Sequence, residues 1–565
     1  MYRHPTPPMA SSKHRSSPRV APVQRRAKSN QRVEAALELF KKGRKREAFE
    51  ALSSWFEQTN GTDTDAGTKA GSIAMQLEDF EAAAKIFAKL VLADSESPSH
   101  LANLGGALVR LNRIQDAKAM LLRAIEIDPK HFSARVNLGA VYQTLGMRQE
   151  NLNNALEAVA IHPSNSLAFN NLGSAFSDLA MFQEAKHAFE TAHLLDPKAI
   201  DPLVNLAAAE ARLNNPQSAI DAYERVLAIL PPEAAQRREA VRFFLAFEYF
   251  KLGRIAEGWD CYEGGFSPLV PNAGARAPNR QFEVPRWQGE PLNGRRLLVW
   301  REQGIGDELR FGTCLESLVG LDGQVIVECD ARLVEPLQRA FPSFLVRGQA
   351  FDLGHSKRAH FQDFDLQIPI GSLMQLTRRD LAAFAHSGGH IPPHPNLRAK
   401  WEARLAPYRG KKLVGVCWRS SKLDPIRNLK YANIQGWSAL LSRPDVQVVN
   451  LQYGDCESEI RQVEAQYGIE VLRWPDLDMR DDLDDLFALI SCLDLVVCTY
   501  TAVLHLAGSV GAPTIAMTNE NAPENWVMLG TDHYPWYQTV HCVTWPAFEQ
   551  VMALALDDDP GTPIA

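Results

Sequence analysis

"LLVWREQGIGDELRF", residues 297–311, joins an apolar run to a turn with two glycines, and an acid follows the second glycine directly. After it the apolar residues take up helical spacing. A strand, a glycine turn and a helix in that order make a site for a phosphate or a sugar: glycine lets the backbone turn and approach a ligand closely, and the helix start presents free N–H groups to the same spot. Gly304 and Gly306 are the turn glycines and Asp307 is the acid.

The runs that follow have the same character. "QVIVEC", "KLVGVCW", "VQVVNLQ", "LDLVVCT" and "PTIAM" are short, rich in Val, Ile and Leu, and barely alternate. Strands buried on both faces read this way, and their alternation with helical stretches predicts parallel sheets covered by helices. A break at "HSGGHIPPHPN" divides the region into two Rossmann-like lobes, about 295–390 and 410–560. Ligands of such sheets bind at the carboxyl ends of the strands.

Upstream the pattern is different. "NLG" recurs at Asn103–Gly105, Asn137–Gly139 and Asn171–Gly173, "NLA" follows at Asn205–Ala207, and proline recurs at 129, 163, 197 and 231, all in steps of 34. One unit reads "SLAFNNLGSAFSDLAMFQEAKHAFETAHLLDPKA", two helical patterns ended by a proline that cannot continue the second. About seven such units span 30–265, one irregular because Asn151 stands where alanine is usual. This resembles the tetratricopeptide repeat, whose units bury their apolar faces only by stacking into a solenoid with a concave groove. The fold expected is therefore multidomain: an all-α solenoid, a linker over 266–294 rich in Gly, Pro and Asn, and a two-lobed α/β domain. Such a solenoid binds protein or peptide; it could also pair two copies of the chain or support its neighbour.

Composition narrows the class. The chain has 565 residues, 45% hydrophobic and 22% charged, with net charge −7, which argues against a nucleic-acid binder. Residues 1–29 carry Arg, Lys, Ser and Pro and no acid, and read as a solvated basic tail. No apolar run approaches the ~20 residues of a membrane span. All eight cysteines follow residue 260 without a Cys-x-x-Cys pair, as free thiols in a reducing compartment would. A cytoplasmic protein is expected.

Two further stretches lie at predicted strand ends. "CTYTAVLHLAGSVGAPTIAM", 498–517, runs from a strand into a short helix with Thr499 and Thr501 as candidate caps and His505 one turn in. "WRSSKLDPIRNLKYANI", 418–434, brings Arg419, Lys422, Arg427 and Lys430 together, a charge density suited to phosphate. The acidic run "DLDMRDDLDDLF", 476–487, lacks the glycine and ligand spacing of a calcium loop, and Asp481 and Asp482 suit a helix N-terminus instead. A dinucleotide fold is an alternative, with Glu328 or Asp330 on a ribose, but position 309 is Leu where the fingerprint wants glycine or alanine.

Over about 240–545 the chain resembles bacterial proteins that join tetratricopeptide repeats to a GT-B transferase similar to heptosyltransferases, with a layout distantly similar to that of O-linked N-acetylglucosamine transferases. The carriers are "EGWDCYE", "PRWQGEPLNGRRLLVWREQGIGDELRF", "VGVCWRSS", "VVNLQYG", "DLDDLFALISCLDLVVCTYTAVLHLAGSVGAPT" and "PWY". The resemblance implies a metal-independent glycosyltransferase with no cofactor, a nucleotide sugar as substrate and Asp307 as general base. It implies donor contacts at Gly304, Gly306, Trp418, Arg419, Ser420, Arg427, Asn428, Gln452, Tyr500, Thr501, Ala502 and His505. In this family Asp usually precedes Thr-Ala, and here the residue is Tyr500, which implies a different donor, such as a nonulosonic acid on a nucleoside monophosphate, or a weakened enzyme. Some relatives of this layout glycosylate flagellin, so a flagellin-like acceptor is expected in the groove. Asn103, Asn137, Asn171 and Asn205 are the candidate acceptor ladder, because an amide can pair with any peptide group; the alternative is that this repeat position uses Asn to cap or bridge neighbouring helices. The rival reading is a non-catalytic repeat scaffold with a degenerate transferase lobe.

Overall fold

The computed structural model describes residues 22–544 except 272–274, 350–362, 386–387, 421–433, 435–436 and 519–522, and describes 550–552 and 556 beyond them. Fourteen α-helices among the described residues, from Pro22–Lys41 to Ile255–Tyr262, precede the first strand. Six consecutive pairs of them pack helix against helix, and the sequence shows why. Gly105 and Gly173 lie where a Cβ would come within 2.6 Å of Leu121 and 2.5 Å of Phe189, so the 34-residue glycine is the contact between the two helices of a pair. In the irregular unit Gly139 instead meets Asn151 Oδ1, 3.3 Å from where its Cβ would stand. A second signal of the same period caps the first helices: Ser97, His131 and Asn165 each accept from the backbone N–H three residues on.

The chain divides into two compact units, Met1–Pro202 and Leu203–Ala565. The first holds the helices up to Phe182–Leu195 and buries an alanine- and leucine-rich core. In the second, the last helix pair, Ala235–Lys251 and Ile255–Tyr262, shares one apolar core with both sheets. Trp259 meets Phe311 and Trp536 edge-on, Phe250 lies 5.4 Å from Trp526, and Asp260 holds Arg379 at 2.8 Å.

The sheets are parallel throughout. β1 (Arg296–Trp300), β2 (Gln324–Cys329), β3 (Leu345–Gly348) and β4 (Leu366–Pro369) lie in the order β3-β2-β1-β4. β5 (Lys412–Cys417), β6 (Val446–Asn450), β7 (Val471–Leu472), β8 (Leu495–Thr499), β9 (Thr514–Thr518) and β10 (Val540–Thr544) lie in the order β10-β9-β8-β5-β6-β7. The order reverses between β1 and β4 in one sheet and between β5 and β8 in the other. Those two switch points are where loops diverge and leave a crevice.

The stretch 266–294, a linker by composition, packs where it is described. Phe266, Phe282 and Val284 cover Leu298, Trp300 and Ile326 on the outer face of the first sheet, and Arg276, Arg280 and Trp287 are buried. Arg276 forks onto Glu302 with two bonds of 2.7 Å and reaches Glu263 at 3.0 Å. The acidic run is built into the fold. Asp482 caps the helix Leu483–Ile490, Asp485 accepts from Lys400 and the Trp401 indole, and Asp484 pairs with Arg339 of the other lobe at 3.0 Å. Among the described residues no group of acids, histidines and cysteines could hold a metal ion, and no helix is long and apolar enough to cross a membrane. Of the expected basic tail, residues 1–21 lie outside the described residues, and the first helix begins at Pro22.

Candidate functional site at the two switch points

The turn after β1 is held from outside. Glu302 is wholly buried against Arg276 and accepts from the Gly371 N–H at 2.7 Å. Gln303 follows with a left-handed backbone, φ +60. Gly304 has φ −97, which any residue adopts, so the conformational demand of this turn falls on Gln303 and not on the glycine. Gly304 starts the helix Ile305–Gly312, and its N–H donates to Asp307 Oδ2 at 3.4 Å, the return half of a capping arrangement. Gly306 is required by a protein neighbour: a Cβ there would stand 2.9 Å from His505 Cδ2.

Three acids lie within seven residues, and burial separates them. The Asp307 side chain is 31% exposed, that of Glu308 3% and that of Glu302 0%. Glu308 accepts from the Asp330 N–H and pairs with Arg301, and burial pushes its carboxyl up to about 7. Asp307 alone of the three can meet a substrate. Its partner is the buried Arg310, which donates to Asp307 at 2.6 Å and to the Tyr500 hydroxyl at 3.1 Å, with its guanidinium over Trp526 and Trp536.

Tyr500 and Thr501 leave the end of β8 and lead into the helix Ala502–Ser509. Thr501 stands at the helix start without capping it: its hydroxyl faces Cys417 Sγ at 3.6 Å, and the Thr499 hydroxyl is buried without a partner among the described residues. The cap expected of these threonines is therefore absent there. His505 is buried, edge-on to Tyr500 and Tyr537. Burial, reinforced by the Arg310 cation, holds its imidazole well below the usual value, so the ring is neutral. Ala502 is half-buried at the mouth of this helix.

At the other switch loop the expected donor contacts are engaged within the protein. Arg419 pairs with Glu459 and donates to the Asp455 carbonyl, and the buried Trp418 indole donates to Glu459 at 3.0 Å. Gln452, fully buried, accepts from the Trp418 and Arg419 N–H groups and donates to the Arg419 carbonyl, which brackets the end of β5 against that of β6. These three residues brace the end of β5, where the loop begins. Ser420 is half-buried, and Arg427 and Asn428 lie outside the described residues.

The acids that a dinucleotide fold would need are occupied. Glu328 is buried between Arg280 and Arg347, and Asp330 binds Arg332 and Arg301. Of the asparagine ladder, Asn137 donates to the Ala102 carbonyl of the preceding unit at 3.2 Å. The side-chain amides of Asn103 and Asn171 make no hydrogen bond among the described residues, and all four residues, Asn205 included, are half-buried. Sequence reasoning missed Gln303, Arg310 and Tyr262. Only the positive charge inside "GDELRF" hinted at the second.

Residues 68–132 and 170–234 match the tetratricopeptide repeat family, and residues 474–549 match glycosyltransferase family 9 (heptosyltransferase). The second match holds Tyr500, Thr501, Ala502 and His505. The chain is 35% identical over 326 residues to Protein FlbA of Caulobacter vibrioides, which covers 56% of this chain and 53% of that protein. It thus spans about half the length of that curated relative. Similar solved structures include a thermophilic tetratricopeptide repeat protein of Thermus thermophilus (20% identity, 32% of this chain and 98% of that one, TM-score 0.29). Another is PilW, a type IV pilus biogenesis factor (20% identity, 35% and 92%, TM-score 0.33). The chain thus carries tetratricopeptide repeats in its N-terminal half and, near its C-terminus, a segment that matches glycosyltransferase family 9 (heptosyltransferase).

Proposed function

We propose that the protein moves a sugar from a nucleotide-activated donor to a hydroxyl of a protein acceptor held by the repeats, with a GT-B domain that needs no metal. A flagellin-like protein is the acceptor we infer first, and the cytoplasm the compartment. The observation that carries this reading is the pairing of Asp307 with Tyr500 through Arg310. It sets the one accessible acid of the first sheet's switch point against the loop of the family-matched segment. Glycosyl transfer passes through a cation-like sugar as a phosphate departs, so it needs a base for the attacking hydroxyl and positive charge for the leaving group. In our reading Asp307 takes the proton. The N-terminus of the helix Ala502–Ser509 and Arg427 meet the phosphate, as helix starts and arginines commonly do.

A scaffold with a degenerate transferase lobe is the second reading, favoured by one observation: Tyr500 occupies the place of the family acid and its hydroxyl is engaged by Arg310. One assay decides. The chain is incubated with nucleoside mono- and diphosphate sugars, with and without unglycosylated flagellin, and free nucleotide and protein mass are followed. Release of nucleotide that Asp307→Asn abolishes supports the transferase; no release from any donor, with normal folding, supports the scaffold.

A further inference from the structure

Gln303 is the one residue of the β1 turn with a left-handed backbone, and it is neither Gly, Asn nor Asp, the types that tolerate that region. Two bonds accompany the conformation. Its N–H donates to the Ala277 carbonyl at 2.6 Å, and its side-chain Nε2 donates to the Tyr262 hydroxyl at 2.7 Å. Tyr262 is the last residue of the helix Ile255–Tyr262 in the final repeat pair. It is itself fixed, 2% exposed, with the Arg276 guanidinium 4.6 Å above its ring and Phe311 of the Asp307 helix edge-on at 6.3 Å. The neighbour before Gln303, Glu302, is pinned by Arg276 and by the Gly371 N–H. Residues 302 and 303 are thus set by groups outside the turn, and the turn ends one residue later at the helix start that carries Asp307.

We infer that Gln303 is a positioning residue for Asp307, and that the Tyr262 hydroxyl of the last repeat is what holds it. An unfavourable backbone conformation persists only where surrounding bonds over-determine it, and such places cluster at functional sites. Without the tether the residue relaxes toward the right-handed or extended regions, and the start of the Asp307 helix swings with it. The last repeat therefore takes part in the transferase site by a direct bond. This rests on the reading of Asp307 as general base.

The test uses the full chain and three variants: Tyr262→Phe, which removes only the hydroxyl; Gln303→Gly, which accepts the left-handed backbone but has no side chain to tether; and the double variant. Nucleotide release from the donor gives kcat and KM, calorimetry gives nucleotide affinity, and hydrogen exchange reports the 304–307 amides. Each single variant is expected to lose about 10–100-fold in kcat, the scale of an ångström-sized misplacement, with KM and nucleotide affinity within about 2-fold of wild type. The double variant should be no worse than the poorer single one, and the 304–307 amides should exchange faster in all three. Singles with wild-type kcat and unchanged exchange overturn the inference, as does a double variant whose losses multiply. If Asp307→Asn keeps the wild-type rate, the reading of the base falls instead and Gln303 loses its role with it. A fall in kcat that only tracks a fall in folded fraction by circular dichroism also overturns it.

Discussion

Arg310 Nη1 donates to the Tyr500 hydroxyl at 3.1 Å, and this bond joins the helix after β1 of one sheet to the turn after β8 of the other. Arg310 is buried, so a donor left without its acceptor there is costly. Tyr500→Phe should lower stability by about 1–3 kcal/mol, the penalty of an unsatisfied buried donor. Chemical denaturation measures it. A change under about 0.5 kcal/mol, below the net worth of an ordinary hydrogen bond, would mean that water or Asp307 takes over the freed N–H.

Asp307→Asn keeps shape and removes proton acceptance. Turnover should fall by roughly 10²–10⁴, with nucleotide affinity nearly unchanged. Glu302 and Glu308 would be the other candidates by position alone, but both are buried in ion pairs. Glu308→Gln should therefore leave more than about a tenth of the activity. A collapse of activity in Glu308→Gln with normal rates in Asp307→Asn would exchange their roles.

Gly306→Ala sets two effects against each other. Alanine improves helix propensity by up to about 1 kcal/mol, less in a first turn. Against this, the new methyl would stand 2.9 Å from the His505 ring, which is boxed in by Tyr500 and Tyr537. Overpacking costs typically about 1–3 kcal/mol, so it should win and the variant should be less stable. His505→Ala opens the space. In the double variant the Gly306→Ala penalty should vanish, a coupling that thermal melts of the four proteins resolve. Additive effects would show that the two residues do not touch.

These examples divide what the sequence makes legible from what it does not. The repeat period, the parallel strands and the cap at Asp482 are local signals, written in spacing and in residue types that act on their own backbone. The glycine turn ahead of the helix that carries Asp307 is legible for the same reason. The partners are not. Nothing near Gly306 announces that His505, far along the chain, fills the space above it. The four-cation loop reads as a phosphate site; Lys422, Arg427 and Lys430 lie outside the described residues, and Arg419 is held by Glu459, a pairing set by how β5 and β6 lie side by side. The packing of 266–294 was hidden by composition: glycine and proline mark irregular backbone, and irregular backbone can still be buried when arginines such as Arg276 find carboxylates.

Glu308 gives a pH dependence with a definite sign. Burial raises its carboxyl from 4.5 to about 7 in the folded chain. Between those values the folded state binds more protons than the unfolded one, so this group's stabilisation is full below pH 4.5 and is lost as pH rises through about 7. The loss is of order 3 kcal/mol at about 1.4 kcal/mol per unit. Melting temperatures between about pH 5 and pH 8, the span that brackets this titration, should fall more steeply for the wild type than for Glu308→Gln. Parallel curves would show that Arg301 keeps the carboxylate charged throughout.

The asparagines of the repeats test how an acceptor is held. Asn137 already donates to the Ala102 carbonyl, and a Cβ on Gly106 would stand 2.9 Å from its Nδ2, so this amide bridges neighbouring units. Asn171 makes no such bond among the described residues. The two positions should therefore separate. Asn137→Ala should cost about 0.5–1.5 kcal/mol for a lost hydrogen bond, visible as a lower melting temperature. Asn171→Ala should leave the melting temperature alone, because no internal bond is lost. If the amides also hold an extended acceptor chain, Asn171→Ala should weaken acceptor binding, while nucleotide release without acceptor stays at the wild-type rate. An amide can meet any peptide group, so this loss should be similar for acceptors of different sequence. Should Asn171→Ala bind acceptor as wild type does, and Asn137→Ala lose affinity only as it loses folded protein, the recurring asparagine serves the solenoid alone and the acceptor is read elsewhere.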